Sequence, residues 1–203
     1  MFKLILQSIR QTLLWTVVTG MLYPLVLTLF FQLAFHDQAN GSLLLRDGKI
    51  VGSSLLAEQF QGPTYFWPRP SANTYGITAA APPTGNSLNA SQGSNLGPTS
   101  AQLQTNVRAA AKAFRDGNKL AADAPVPADM VYASASGLDP HISPEAARLQ
   151  VARIADARKA NVDDVKALLE KSIEPPQWGF LGQARVNVLV LNLALDEKFP
   201  VKK

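Results

Sequence analysis

A chain of 203 residues with 19 Lys and Arg against 15 Asp and Glu carries a formal charge of +4, and it contains no cysteine. Without thiols there are no disulfide staples, no thiolate catalysis and no thiolate metal site, so stability has to come from packing. The positive excess is not gathered into a patch: Lys3 and Arg10 account for half of it and the rest lies in scattered pairs, so a nucleic-acid role has no electrostatic basis.

The stretch from Thr12 to Phe35, TLLWTVVTGMLYPLVLTLFFQLAF, has no charged residue, and ~20 apolar residues suffice for a helix to cross the hydrocarbon core. It reads as a membrane anchor bounded by Thr12 and Phe35. Gly20 is small enough for close packing against another helix, and Pro24 removes a backbone donor near the middle, which predicts a kink. The run exceeds the ~7–15 apolar residues of a cleaved signal and no small-x-small site follows it, so the anchor is expected to be retained. Lys3 and Arg10 precede it and His36 and Asp37 follow. The positive-inside rule then assigns 1–11 as a short cytoplasmic N-terminus, 12–35 as the transmembrane helix and 36–203 as one periplasmic α+β domain.

Beyond the anchor, Asp47-Gly48 between two apolar runs predicts a hairpin. Leu55 to Phe60 suggests a short helix. Tyr65-Phe66-Trp67 leads into Pro68-Arg69-Pro70, where each proline biases its predecessor to an extended backbone. From Ser71 to Pro98 the composition is that of a long loop, and loops of that length tend to carry function. A helix follows from Thr99 or Ser100 to Asp116, with Leu103, Val107, Ala110 and Phe114 on one face and Gly117-Asn118 closing it. Asp129 to Ser134 reads as a short strand. Ser143, Pro144 and Glu145 are a strong helix start, and that helix runs to about Lys159 with Ala147, Val151, Ile154 and Ala155 inward. Asn161 caps another, whose apolar face is Val165, Leu168, Leu169 and Ile173 and which Pro175-Pro176 ends. The tail from Arg185 to Leu195 starts with strand character through Val186, Val188 and Val190; its final residues fit strand or helix equally.

Four constellations have chemical content. Asp139 and His141 flank one turn and could form a base and orienter or part of a metal site. Pro140 favours a turn-and-cap reading in which Gly137, Asp139, His141 and Ser143 are structural. Ser134, Ser136 and Ser143 near His141 raise a hydrolase, but there is no Gly-x-Ser-x-Gly elbow and no acid is clearly placed to orient the imidazole. Arg69, held between two prolines, either meets a partner together with Tyr65, Phe66, Trp67 and Ser71 or is a structural arginine, and the residues do not decide. Ser91-Gln92-Gly93-Ser94-Asn95 has the small-residue character of an anion-cradling loop but lacks the lysine of a phosphate-binding loop. No catalytic residue and no metal ligand set is assigned.

The order of motifs is more telling than any one of them. Val51-Gly52-Ser53-Ser54-Leu55-Leu56 and Phe60 are followed by Tyr65-Phe66-Trp67-Pro68-Arg69-Pro70-Ser71-Ala72 and Gly93-Ser94-Asn95-Leu96-Gly97-Pro98. Then come Val126-Pro127-Ala128-Asp129, the run Ser134 to Pro144 (SASGLDPHISP) and Val186-Asn187-Val188-Leu189 with Leu191 to Asp196 (LNLALD). In this order the chain resembles the C-subunit family of Kdp-type potassium-transporting P-type ATPases. The resemblance implies a nonenzymatic, single-pass subunit of a bacterial inner-membrane complex, with a potassium-channel-like A subunit and an ATP-hydrolysing B subunit as partners and the lipid bilayer around its anchor. It implies no cofactor of the chain's own, ATP and potassium acting at the level of the complex. It also implies a role in supporting ATP use by the B subunit, with Ser91, Gln92, Gly93, Ser94 and Asn95 as the inherited nucleotide segment. The alternative class is a free-standing, membrane-anchored periplasmic binding module or hydrolase.

Overall fold

The first helix is continuous through its proline. The computed structural model describes residues 1–72 and 91–201, which divide into two units, Met1–Leu43 and Leu44–Lys203. In the first, α1 (Phe2–Val17) passes through a π-helical turn (Val18–Leu22) into α2 (Tyr23–Ala34). Pro24 has no N–H for the carbonyl four residues back. The chain widens by one residue there, and the Tyr23 N–H bonds to the Val18 carbonyl. The irregularity expected at Pro24 thus takes the form of a π-turn. No side chain of this run is buried, as suits a helix with lipid for solvent. Among the described residues, Phe2–Ala34 is the helix long and apolar enough to cross a membrane. It begins well before Thr12, and Phe35 leaves the helical region before a short α3 (His36–Ala39).

In the second unit β1 (Leu43–Arg46) and β2 (Lys49–Ser53) form the expected hairpin. Asp47 (φ 52°) and Gly48 (φ 73°) are both left-handed, the tight turn whose twist matches the strands. The helix expected over Leu55 to Phe60 is absent. The Ala57 N–H is committed to the Leu138 carbonyl at 3.0 Å rather than to a helical partner, which draws the segment out along the body. Of the long loop, residues 73–90, with Tyr75, Ile77 and Leu88, lie outside the described residues.

α4 (Ala101–Asn118) starts at Ser100, whose hydroxyl accepts the Leu103 N–H at 3.3 Å. It does not close at Gly117-Asn118; the left-handed closing residue is Lys119. Both residues are retained in the helix by packing. A Cβ on Gly117 would lie 2.2 Å from the Trp67 ring, and Asn118 is buried against Arg153 at 2.9 Å.

The strand expected at Asp129 to Ser134 is instead a 3₁₀ turn, Ala128–Met130, followed by irregular chain. Asp129 is the cause: its carboxylate accepts the Ser143 N–H at 2.7 Å and the Ser143 hydroxyl at 3.2 Å, pinning the segment to the start of the next helix. That helix, α5 (Pro144–Arg158), and α6 (Val162–Lys171) have the predicted caps at Ser143 and Asn161. Ile173 is not on α6 but in β4 (Ile173–Glu174), so α6 ends before Pro175-Pro176 is reached.

β5 (Arg185–Asn187) is short. Val188 and Val190, read as strand, belong to α7 (Val188–Lys198), because Asn187 turns the chain by accepting the Val190 N–H at 3.1 Å. β5 is the centre of an antiparallel sheet in the order β3 (His141–Ile142), β5, β4, with Ile142 and Ile173 both opposite Val186. α5 packs on α4, α6 and β5, and α7 on α6 and β5. Phe66, Phe114, Ile154, Leu169, Val186 and Leu191 lie in the resulting core.

Candidate functional site

The segment from Gly62 to Ser71 crosses the second unit as an extended strap, and side chains rather than a neighbouring strand satisfy its backbone. The buried amide of Asn192 accepts the Phe66 N–H at 2.9 Å and donates to the Phe66 carbonyl at 3.0 Å. Gln150, also buried, accepts the Trp67 N–H at 2.8 Å. Arg153, 5% exposed, donates to the carbonyls of Gly62, Pro63 and Tyr65 at 3.1, 2.8 and 3.0 Å, and to Asn118 and Gln150. Its guanidinium lies 4.2 Å over the Trp67 ring. Burial lowers its pKa to about 10, which still leaves it charged at neutral pH.

Arg158 repeats the device, donating to the Thr64 and Phe199 carbonyls at 2.7 Å and to Asp196 at 2.7 Å, with its guanidinium 4.8 Å over Tyr65. Asp196 also accepts from the Tyr65 hydroxyl and from Arg46, both at 3.2 Å. Burial and then the Asp196 carboxylate push the Tyr65 pKa upward.

The strap delivers Arg69 to the Asp139 turn. The Arg69 guanidinium donates to Asp139 at 2.6 Å, and the other Asp139 oxygen accepts the His141 N–H at 3.0 Å. Burial pushes the Asp139 carboxyl up, but the neighbouring His141 ring, the His141 backbone N–H and the Arg69 guanidinium outweigh it and bring the pKa down to about 2. The His141 ring stands between two carboxylates, with Nδ1 3.6 Å from Asp139 and Nε2 3.8 Å from Glu174, which itself accepts from Arg185 at 2.9 Å. Glu174 is a neighbour of this imidazole that spacing does not reveal, since β4 brings it alongside β5, but neither carboxylate is within hydrogen-bond distance of the ring. A cavity of about 450 Å³ opens here, with Arg69, Asp129, Asp139, His141 and Arg185 in its wall.

The cluster can hold charges in register, but its serines among the described residues are engaged elsewhere. The Ser143 hydroxyl is engaged by Asp129 and by the Ala146 N–H, and Ser134 and Ser136 pair with each other at 3.5 Å. Among the described residues no serine hydroxyl bonds to the His141 ring. Gly137 adopts φ 69° in the turn, and its carbonyl accepts the Ser71 hydroxyl at 2.8 Å.

Phe66, read as a partner contact, is fully buried and belongs to the core; Trp67 is partly buried against Gly117 and Arg153. Tyr65 and Ser71 are half-buried. In the segment Ser91 to Asn95, the Ser91 hydroxyl and the Gln92 N–H both donate to the Ser136 carbonyl at 3.1 and 2.9 Å, and a Cβ on Gly93 would lie 2.7 Å from the Ala135 carbonyl. That segment is thus laid against the Ser134–Ser136 loop. Thr12, Gly20, Pro24 and Phe35 are all in the first unit.

Sequence reasoning missed Gln150, Arg153, Arg158 and Asn192. A signal was present: Gln150 falls in the Ala147, Val151, Ile154 stripe of α5, and Asn192 in the Val188, Leu191, Leu195 stripe of α7. A polar residue on an apolar face is one that finds an internal partner.

Residues 5–197 match the family model for K+-transporting ATPase, c chain (KdpC). A protein from Methylococcus capsulatus named potassium-transporting ATPase KdpC subunit is 47% identical over 93% of this chain and 95% of its own. The protein of that name from Dechloromonas aromatica is 47% identical over 97% and 98%, and that from Mycobacterium tuberculosis is 46% identical over 97% and 99%.

Proposed function

Because the chain belongs to the KdpC family of K+-transporting ATPase c chains, we propose that it is an accessory, noncatalytic subunit of an ATP-driven potassium import complex. It is anchored by its N-terminal helix and serves assembly rather than chemistry. The observation that carries this is the internal commitment of the polar groups. Arg69, Asp139 and Ser143, the residues with the most chemical promise, bond to one another's segments, and the Ser91–Gln92 pair bonds to Ser136. A surface of this kind holds a shape for a partner.

On this reading the A subunit carries potassium and the B subunit hydrolyses ATP. The present chain supports ATP use through the assembled complex. Lys3 and Arg10 argue for an N-terminus in the cytoplasm, hence a periplasmic second unit in a bacterial inner membrane. The test is co-purification of the full-length chain, solubilised with the other subunits, followed by potassium-stimulated ATPase per intact complex. The chain is expected in stoichiometric amount, and His141→Ala is expected to leave turnover per complex nearly unchanged. Loss of normalised turnover in that variant would refute the noncatalytic role. A periplasm-only reporter enzyme fused after Lys203 should be active, and an active cytoplasm-only reporter there would reverse the topology.

A further inference from the structure

The connection between β4 and β5 is a small turn that displays what other parts of the unit bury. Residues 175–184 contain no charged side chain. Gln177 and Leu181 exchange both backbone hydrogen bonds at 2.9 Å, and the Gly179 N–H donates to the Pro176 carbonyl at 3.0 Å. Trp178 at φ 53° and Gly179 at φ 82° form the tip. A left-handed tryptophan is unfavourable, because its Cβ crowds the following carbonyl, and internal packing does not compensate it. Trp178 is 84% exposed, Phe180 77% and Leu181 50%, with the two rings 6.5 Å apart. The indole N–H meets no acceptor among the described residues.

Resting on the reading above, we infer that this turn is a docking finger whose Trp178 and Phe180 rings seat in an uncharged apolar pocket on another protein subunit of the same ATPase. Three features favour a protein pocket over the bilayer surface. Nothing in 175–184 is basic, and the charges at its base, Glu174 and Arg185, neutralise each other at 2.9 Å. Segments that lie on lipid headgroups instead carry Lys and Arg for anionic lipids. The turn is also closed by its own backbone bonds, so little order is lost on docking. Finally, two aromatic rings cover about 150–250 Å² each, close to half of the ~800 Å² that one side of a standard interface buries. That makes them the central anchors of a protein contact, where Trp is enriched.

The test uses the full-length chain co-expressed with the other subunits, comparing wild type with Trp178→Ser/Phe180→Ser. Retention of the double variant in the detergent-solubilised complex is expected to fall at least about 30-fold, the loss typical of removing a buried aromatic anchor, with its melting temperature unchanged. Because the chain has no cysteine, Phe180→Cys carrying a bimane label gives a second, folding-independent readout. Its emission should shift to the blue in the assembled complex and not when the chain alone sits in phosphatidylcholine vesicles. Wild-type retention of the double variant, or a blue shift in vesicles without the other subunits, would overturn the proposal. Failure of the wild-type chain itself to co-purify would instead remove the subunit reading on which it rests.

Discussion

Arg153→Met is the substitution that most directly probes how the strap is held. Methionine keeps the length and apolar volume and removes every donor. Two of the five acceptors keep another partner, since Gln150 still accepts the Trp67 N–H and the Gly62 carbonyl still accepts the Trp67 indole N–H at 2.6 Å. The Pro63 and Tyr65 carbonyls and the Asn118 amide oxygen lose Arg153. At about 1–3 kcal/mol per unsatisfied acceptor, with mid-range for the buried Asn118 oxygen and the low end for the partly exposed Pro63 and Tyr65 carbonyls, that is about 4 kcal/mol. The lost contact with the Trp67 face adds about 1–2 kcal/mol. Against this, the variant no longer desolvates a guanidinium, whose pKa burial lowers to about 10, a relief of about 3 kcal/mol. The net loss is about 2–3 kcal/mol, which for a unit of this size lowers Tm by about 7 °C. Thermal melting of the full chain in detergent, followed by near-UV circular dichroism, reads it directly. Arg153→Lys, which keeps the charge but not the planar fork, should lie between the two. A Tm drop of less than about 3 °C for Arg153→Met would mean that the carbonyls find water instead, and the account of the strap would fail.

Asp139→Asn tests the turn through pH. The Asp139 pKa is depressed from 3.8 to about 2, so its contribution is fully present above about pH 4 and lost as pH falls toward 2. The shift corresponds to about 2 kcal/mol, nearer 1–2 after allowance for partial exposure. Urea midpoints of wild type and variant should therefore differ at pH 7 and converge below pH 3; parallel curves would refute it. Gly117→Ala should destabilise by about 2 kcal/mol despite alanine's better helix propensity. Its Cβ would meet the Trp67 ring at 2.2 Å while Gly62 and Arg153 hold that ring in place, and unchanged chemical denaturation would count against that packing. Ser143→Ala should cost about 1–2 kcal/mol, since the hydroxyl both caps α5 and donates to Asp129; the same denaturation series reads it.

Local chemistry was legible in the sequence. The Asp47-Gly48 turn and the caps at Ser143 and Asn161 each depend on a few adjacent residues, and each appears where those residues stand. The ordered motifs also carried the family, because together they span the chain. What the sequence could not decide is what long-range partners impose. Leu55 to Phe60 is not helical because Leu138 takes the Ala57 N–H, Asp129 to Ser134 is not a strand because Asp129 caps a distant segment, and the tail becomes a helix after Asn187. The placement of Arg69 on Asp139 and of Glu174 beside His141 likewise arises only when β5 pairs with β3 and β4 and the strap is clamped across α5 and α7. Those contacts join residues far apart in the chain, and a backbone group goes to whichever partner the fold brings within about 3 Å, whatever its neighbours in sequence prefer.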